Sequence, residues 1–324
     1  MSQAIRIHQT GGPSVMKLEP VEVTAPGPGQ VRVRHEAIGV NYIDTYHRSG
    51  LYPVSLPSGI GLEAAGHVDA VGDGVTQFAV GDRVAYGNGP IGAYAEYNTV
   101  ASGRLANIPD AVSMEEAAAI MLKGMTARYL LKETFPVKAG DTVLYHAAAG
   151  GVGLLMCQWA RDLGVTLIGT ASTAEKCQLA LSMGAAHMIN SSQEDVVARV
   201  RELTDGEGVP VVYDGVGRDT FAISLDCLRP RGLLASFGNA SGAVTGVDLG
   251  ILTQKGSVYV TRPSLAHYVA SDDALATNTA DVFDAVARGA LSIRINQRYA
   301  LADAVQAHED LEARKTTGAS ILAP

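Results

Sequence analysis

The sequence predicts an α/β protein that combines a doubly wound parallel sheet with a second, strand-rich domain. Two observations support this fold class. From about Gly140 onward, short apolar runs typical of buried strands alternate with amphipathic helices, the pattern of a parallel sheet covered on both faces. From Ala4 to about Lys123, short strands are separated by glycine turns instead, which indicates a compact, partly closed β domain.

The strand-rich region can be followed segment by segment. Residues 30–34 alternate polar and apolar side chains, as a half-exposed strand does, and they follow a turn rich in proline and glycine. Further strands and glycine turns are predicted between residues 61 and 86. After Pro109 the character changes, because the alanine-rich segment 113–131 predicts a helix that starts with a capping box between Ser113 and Glu116.

A glycine-rich turn within residues 143–153 is the most informative motif. An apolar strand leads into Ala148, Gly150 and Gly153, which fill the three positions of a G-x-G-x-x-G fingerprint with alanine in the first. Small residues let a diphosphate approach the backbone, and the following helix offers unpaired N–H groups and the positive end of its dipole. Segment 152–163 has helical spacing and ends before Gly164, so the motif lies between a strand and a helix, as dinucleotide binding requires.

The end of the second strand, at residues 165–169, indicates which dinucleotide binds. An NAD site places an acid there for the ribose hydroxyls, but residues 170–174 contain none and the first is Glu175. Ser172 and Lys176 have the chemistry to donate to a 2′-phosphate, so the sequence favours NADPH. Two alternatives stay open: Ser172 caps the next helix in a capping box with Glu175, or Lys176 is only a solvated helix residue.

The rest of the chain continues the alternation. It predicts a helix through residue 183, a strand at 187–189, a helix at 196–203, a strand at 211–214, a helix at 221–228, a strand at 232–237 and a last strand at 257–261. Amphipathic helices at 280–287 and 303–313 follow with short strands. We expect them to fold back onto the first domain.

Composition excludes several other classes of protein. The 324 residues are 47% hydrophobic, which suffices for a large core and usually for two domains. A formal net charge of -8 without a long basic run argues against a nucleic-acid partner. Three widely spaced cysteines fit a reducing compartment. With neither a signal peptide nor an apolar run of membrane-spanning length in the sequence, we expect a cytoplasmic protein.

The chain resembles a known family most specifically around the glycine-rich turn. The matching residues there are Gly140, Asp141, Leu144, Ala148, Ala149, Gly150, Gly151, Gly153, Gln158 and Arg161. On these and on segments spread over essentially the whole chain, it resembles the zinc-free quinone oxidoreductases of the medium-chain dehydrogenase/reductase superfamily, the group that includes zeta-crystallin. It is especially similar to the bacterial NADPH:quinone reductases.

The resemblance implies a domain organisation. A GroES-like, partly closed β-barrel catalytic domain is expected at residues 1–123 and 265–324, and a Rossmann NADPH-binding domain at residues 124–264. It also implies a homodimer in which the Rossmann sheets join through the edge strand 257–261.

Two positions separate the chain from the zinc alcohol dehydrogenases of the same superfamily. Asn41 stands where those enzymes have a cysteine ligand, and Leu62 stands where they have a histidine. Neither side chain can replace a thiolate or an imidazole, so we expect no catalytic zinc. The eight histidines show no paired ligand spacing, and the four-cysteine structural lobe is missing.

The resemblance also implies a set of cofactor-binding residues. NADPH is expected to contact Asn41, Thr126, Tyr129, Ala149, Gly150, Gly151, Val152, Gly153, Ser172, Lys176, Ser191, Phe237, Asn239 and Arg314. Ser191 departs from the family, because relatives often have a tyrosine at this position near the 2′-phosphate end of the cofactor. Its hydroxyl can donate to a phosphate but offers no ring.

The expected reaction is reduction of a small quinone in the interdomain cleft, by hydride or single-electron transfer. Asn41, Tyr46 and Tyr52 are the expected donors to the developing oxyanion, although each tyrosine has packing as an alternative role. No general acid stands out, so water is a candidate proton source. The alternatives are a zinc-free enoyl or alkenal reductase, a structural or RNA-binding role like that of crystallin relatives, and an NADPH sensor.

Overall fold

The structure, a computed structural model, describes residues 1–324 and divides into two compact units. Unit 1 comprises Met1–Met125, Val269–Gly289 and Ile293–Pro324, and unit 2 comprises Thr126–Tyr268 and Ala290–Ser292. The chain passes from unit 1 to unit 2 near the end of its second α-helix.

Sixteen strands and ten α-helices make up the fold. The strands are β1 (Ser2–Ile7), β2 (Lys17–Val21), β3 (Gln30–Val40), β4 (Ser58–Gly59), β5 (Glu63–Val71), β6 (Arg83–Gly87), β7 (Tyr97–Ala101), β8 (Ala106–Asn107), β9 (Thr142–Tyr145), β10 (Thr166–Ala171), β11 (His187–Asn190), β12 (Val209–Asp214), β13 (Leu228–Ser236), β14 (Tyr259–Thr261), β15 (Ile295–Ala300) and β16 (Ala319–Ala323). The helices are α1 (Tyr42–Ser49), α2 (Met114–Tyr129), α3 (Gly151–Asp162), α4 (Ala174–Ser182), α5 (Val196–Leu203), α6 (Phe221–Cys227), α7 (Gly250–Gln254), α8 (Leu265–Tyr268), α9 (Asp272–Ala287) and α10 (Ala304–Glu312). None of these helices combines the length and the apolar character needed to cross a membrane.

Unit 1 is built on a largely antiparallel sheet around β3. Strands pair in the order β15-β16-β3-β5-β6-β8, with β7 also paired to β3, and a smaller sheet has the order β2-β1-β4. The predicted strand at 30–34 is confirmed, because Val31 and Val33 alternate into the core while their neighbours are more exposed. The same core contains Ala304 and Ala307 of α10.

The predicted start of α2 is also confirmed. The Ser113 hydroxyl accepts the backbone N–H of Glu116, and the Glu116 carboxylate accepts the N–H of Ser113. Together these bonds form a capping box. The sequence does not predict the end of the helix, where α2 continues into a π-helical turn at Leu130–Thr134. Such turns are rare, and they occur frequently at functional sites.

Unit 2 contains a six-stranded parallel sheet in the order β11-β10-β9-β12-β13-β14. Counted from β9, this is the strand order 3-2-1-4-5-6 of the doubly wound dinucleotide-binding fold, which confirms the predicted fold class of this region. Helix α5 has the predicted bounds, and β14 is an edge strand as expected. The order reverses beside β9, so the glycine-rich turn after β9 lies where such sheets bind their ligands.

Candidate active site

The turn between β9 and α3 is shaped by its backbone. Ala147 has the left-handed φ of 59°, and the N–H of Ala148 donates to the Thr170 carbonyl oxygen at 2.9 Å. Gly150 is the N-cap of α3 and has no side chain with which to cap it. The first N–H groups of a helix lack partners within it, so those of Gly151, Val152 and Gly153 are available to an anion.

Two glycines pack closely against Ala148, the residue in the first position of the fingerprint. A Cβ on Gly153 would lie 2.5 Å from the Ala148 carbonyl oxygen, so only glycine allows helix and turn to approach this closely. A Cβ on Gly169 of β10 would lie 2.7 Å from the Ala148 Cβ. Since Gly169 has no side chain, the space beside it accommodates the alanine methyl group.

The segment after β10 shows that the N-cap of α4 differs from the predicted one. Ser172 does not cap α4, because the N-cap is Thr173, whose hydroxyl accepts the N–H of Lys176 at 3.3 Å. Thr173 is one residue later than predicted, and its side chain bonds the N3 position as a cap should. This leaves the half-buried Ser172 hydroxyl without the capping role that was its alternative to phosphate binding.

Ser191 follows β11, the neighbour of β10. Its backbone N–H donates to the Ala171 carbonyl oxygen at 2.9 Å, so the residues after the two strands lie side by side. The Ser191 hydroxyl donates to the same carbonyl at 3.2 Å. It must therefore exchange this partner before it can donate to a phosphate.

Two pairs of aromatic side chains are in contact within unit 2. Tyr129 is buried and stacks on Tyr268, with ring centroids 4.3 Å apart, and the Thr134 hydroxyl donates to the Tyr268 oxygen at 2.9 Å. Burial raises the pKa of Tyr129, so its hydroxyl is a neutral donor. Phe237 lies 6.1 Å from the Tyr145 ring.

The two other predicted contacts of this region are placed as follows. Thr126 is buried at the start of unit 2. Asn239 lies in the segment after β13, where the N–H of Gly242 donates to its carbonyl oxygen. Gly238 in this segment approaches Gly215 so closely that a Cβ on it would lie 2.2 Å from the Gly215 oxygen.

In unit 1, α1 brings together the predicted substrate donors. Asn41 is its N-cap and is 5% exposed. Tyr46 is buried, and its ring centroid lies 5.1 Å from that of the half-buried Tyr52 in an edge-on arrangement. Arg314 also belongs to unit 1, where it is exposed just after α10 with a left-handed φ of 58°.

The Asn41 side chain belongs to a buried charged cluster that the sequence did not reveal. Its Nδ2 donates to Glu63 Oε2 at 2.7 Å, and the Lys123 Nζ donates to the same oxygen at 3.1 Å. The backbone N–H of Leu122 donates to Glu63 Oε1 at 2.7 Å. A Cβ on Gly39 would lie 2.1 Å from Glu63 Oε2, so a glycine is needed beside the carboxylate.

A chain of polar contacts joins α1 to α10. Buried Arg48 makes a two-pronged ion pair with Glu312, at 2.7 and 3.0 Å, and its Nη1 lies 3.1 Å from His308 Nδ1. Arginine can only donate, so Nδ1 accepts and the neutral His308 carries its proton on Nε2. That nitrogen donates to the Tyr94 oxygen, whose O–H donates to Asp44 Oδ2.

Asp44 lies at the end of this series of polar contacts and can change its protonation state. Burial raises its pKa to about 7, although the Asn41 N–H and the Tyr94 hydroxyl favour the carboxylate. For His308, burial and the adjacent Arg48 lower the pKa to about 3, so the ring stays neutral. Asp44 also accepts the backbone N–H of Asn41 at 2.9 Å, which fixes the start of α1.

The sequence predicts a role for Asn41 but does not indicate the residues that hold its side chain. The available signal was two opposite charges in apolar surroundings, Glu63 before two alanines and Lys123 within the alanine-rich α2. No group of three or more His, Cys, Asp or Glu side chains is arranged to hold a metal ion.

Two family descriptions match the chain. Residues 27–110 match the alcohol dehydrogenase GroES-like domain, and residues 151–268 match the zinc-binding dehydrogenase family. The second match begins after β9 and covers the other five strands of the parallel sheet. Asn41 and Leu62, the positions at which zinc ligands were expected to be missing, lie within the first match.

Individual relatives match over the full length. A quinone oxidoreductase from Pseudomonas aeruginosa is 55% identical and covers 100% of both chains. The crystal structure of Escherichia coli quinone oxidoreductase complexed with NADPH is 50% identical, with a TM-score of 0.98 over 99% of this chain and 100% of that one. A 2-haloacrylate reductase from Burkholderia is 46% identical over 100% of this chain and 99% of its own.

These findings confirm the predicted fold class, with its GroES-like and Rossmann parts, and the predicted family. The domain boundaries, the binding residues, the cytoplasmic location and the absence of a nucleic-acid partner stay predictions. On full-length identity of 50% and above, the chain belongs to the quinone oxidoreductase family of the medium-chain dehydrogenase/reductase superfamily.

Proposed function

We propose that this protein is an NADPH-dependent quinone reductase. The observation that carries the proposal is the glycine turn after β9 at the reversal of the parallel sheet, in a chain 50% identical to an NADPH-bound quinone oxidoreductase. In the two-electron case, a quinone, NADPH and one proton give a hydroquinone and NADP⁺. Transfer of single electrons is the alternative course.

The residues of unit 2 fit a dinucleotide. The missing Cβ of Gly153 lets α3 approach the turn closely, and the uncapped N-terminus of α3 leaves backbone N–H donors for a diphosphate. Ser172 and Lys176 lie beyond the end of β10, and residues 170–174 contain no acid that would repel a 2′-phosphate. NADPH, when bound, supplies the reducing equivalent, and the chain supplies position and electrostatics.

Unit 1 supplies the donors for the acceptor. Asn41 offers an amide N–H, and Tyr46 and Tyr52 offer hydroxyls from the same short segment. Reduction of a quinone builds negative charge on its oxygens, and fixed donors aimed at that charge lower the barrier. A quinone suits such a site because it accepts electrons without a metal to polarise it.

A panel of acceptors tests the activity. NADPH oxidation is followed at 340 nm with ortho- and para-quinones, with 2-enones and 2-haloacrylate, and with alcohols offered to NADP⁺. We expect turnover with quinones and no alcohol oxidation, and added chelator should change nothing. Activity confined to the enones or to 2-haloacrylate would assign the protein to the double-bond reductases instead.

Lys176 tests the choice of cofactor. Lys176→Glu should weaken NADPH binding by about tenfold or more, the scale of one lost charge-assisted phosphate contact, and should leave NADH binding within about twofold. Lys138→Glu makes the same charge change at an exposed position of unit 2. Equal losses for NADPH and NADH would refute the assignment.

The edge strand β14 supports a homodimer. Tyr259 and Val260 are 62% and 40% exposed on a strand whose outer edge has no partner within the chain. Unprotected apolar edges favour pairing with another chain. Val260→Lys should lower the mass measured by light scattering toward that of the monomer, whereas Leu181→Lys, at a comparably exposed position on α4, should not.

A further inference from the structure

The strongest unexplained feature is the buried ion pair beside Asn41. The Glu63 side chain is 0% exposed and that of Lys123 is 7% exposed. Burying two charges costs several kcal/mol per ion, and a hydrophobic pair of the same volume is often equally stable or more so. Stability therefore gives no sufficient reason for a carboxylate and an ammonium at this place.

The geometry ties the pair to one atom of the candidate active site. Asn41 Nδ2 carries two hydrogens, and Glu63 Oε2 accepts one of them at 2.7 Å. This bond fixes the plane of the amide and leaves the other hydrogen for a ligand. Glu63 thus serves as the rigid support of the donor.

The same support creates an electrostatic conflict. A bare carboxylate one hydrogen bond behind the donor would repel the negative charge that grows on an acceptor oxygen in front of it. Lys123 Nζ lies 3.1 Å from the oxygen that accepts the amide hydrogen, so it neutralises the charge where the conflict arises.

We propose that Lys123 is a positioning residue for quinone reduction, which compensates the charge of Glu63 so that the Asn41 amide is both held in place and able to stabilise the reduced oxygen. The inference rests on the proposed function.

The first experiment is a double-mutant cycle. Lys123→Met leaves Glu63 uncompensated and should lower kcat by about 30-fold to 100-fold, the scale of one spoiled oxyanion donor. NADPH affinity, measured by fluorescence titration, should stay within about threefold because the expected cofactor-binding residues of unit 2 are unchanged. The double variant Glu63→Gln with Lys123→Met removes both charges and keeps one side-chain oxygen, which can accept the Asn41 amide but no longer the Leu122 N–H as well. Its kcat should therefore recover to within about fivefold of the wild type.

The pH profile separates this role from simple packing. In Lys123→Met, kcat should rise as the pH falls, because protonation of Glu63 removes the repulsion. The ionisable groups facing Glu63 are Lys123, Asp44 and Tyr94, and the latter two are present in every variant. The double variant and the exposed control Lys17→Met should therefore show the wild-type profile.

A measurement without cofactor completes the test. The unfolding free energy of ligand-free Lys123→Met should decrease more steeply with rising pH than that of the wild type, and the double variant should remove the difference. If Lys123→Met does not fold, Lys123→Arg and the double variant carry the test, and both should stay within about fivefold of wild-type kcat.

Three results would overturn the inference: an unchanged kcat in Lys123→Met, a folded double variant as slow as Lys123→Met, or parallel pH profiles of unfolding. A wild-type protein that reduces no quinone would instead refute the proposed function. In that case, the pH dependence of the unfolding free energy of the ligand-free variants still tests whether Lys123 compensates the charge of Glu63.

Discussion

The glycine turn of unit 2 and the Asn41 cluster of unit 1 place functional atoms in different ways. In the turn, uncapped backbone N–H groups begin α3, and their placement depends on the missing side chains at Gly153 and Gly169. In the cluster, the Asn41 amide donates to the Glu63 carboxylate, which is 22 residues away. The same carboxylate accepts the Lys123 ammonium group, which is 60 residues further along the chain. The turn is local in sequence, and the cluster is assembled by the fold.

The difference determines how each region responds to change. A backbone site fails when a side chain is added, because the added atoms collide with the chain. A buried ionic site fails when a side chain is removed, because the remaining charge has no partner. The following variants test this contrast, from the largest expected effect to the smallest.

Glu63→Ala should have the largest effect, on folding. It leaves the Lys123 ammonium buried without a counterion, and loss of one partner of a buried pair costs about 3 to 5 kcal/mol. Urea unfolding measures the change. Arg298→Ala breaks the exposed ion pair with Glu115 in the same unit and should cost less than about 1 kcal/mol. Equal losses for the two variants would contradict the description of the cluster.

Gly153→Ala should come next, on cofactor binding. Its Cβ would lie 2.5 Å from the Ala148 carbonyl oxygen, so the turn must shift and NADPH should bind about 100-fold more weakly, or about 3 kcal/mol. Fluorescence titration with NADPH checks this. In the control Gly12→Ala no atom lies within 4 Å of the new Cβ, and the affinity should not change. Unchanged affinity in Gly153→Ala would show that the turn is not the diphosphate site.

Asp44→Asn tests the series of polar contacts that joins α1 to α10, through the pH dependence of the unfolding free energy. The folded-state pKa of Asp44, about 7, lies above its ordinary value of 3.8, so its stabilising contribution is complete at low pH and is lost as the pH rises through 7. From pH 5 to 8 the wild type should lose roughly 2 to 3 kcal/mol through this group. Asp44→Asn should lack that part of the slope in urea unfolding, and an identical slope would exclude a raised pKa.

Thr173→Ala and Ser172→Ala should have the smallest effects on the free energy of unfolding, and they are best compared with each other. Loss of the N-cap in Thr173→Ala should cost about 1 kcal/mol of unfolding free energy, whereas Ser172→Ala should be nearly neutral in stability. NADPH titration should give the opposite order, with the weaker binding in Ser172→Ala. Equal stability losses would favour the original capping role of Ser172.

The sequence predicted those features that depend on neighbouring residues. The alternation in β3, the capping box at Ser113 and the bounds of α5 all follow from patterns a few residues long. The cap at Thr173 was missed by one position because two adjacent hydroxyl residues satisfy the same pattern.

The missed parts of the site depend on distant residues. Glu63 meets Lys123 because the fold brings the first residue of β5 beside α2, and Arg48 meets Glu312 264 residues further along the chain. A single sequence contains no local pattern for such pairs. Likewise, nothing in segment 113–131 marks the switch from an α-helix to the π-helical turn at its end.

Asn41→Ala provides the most direct test of the division between a cofactor-binding turn and a reaction-supporting cluster. Steady-state kcat with a para-quinone and the NADPH dissociation constant are measured on the same preparation. We expect kcat to fall by about 100-fold or more, as for a lost oxyanion donor, and NADPH affinity to change by less than about fivefold. An unchanged kcat, or a loss confined to NADPH affinity, would contradict the role assigned to Asn41.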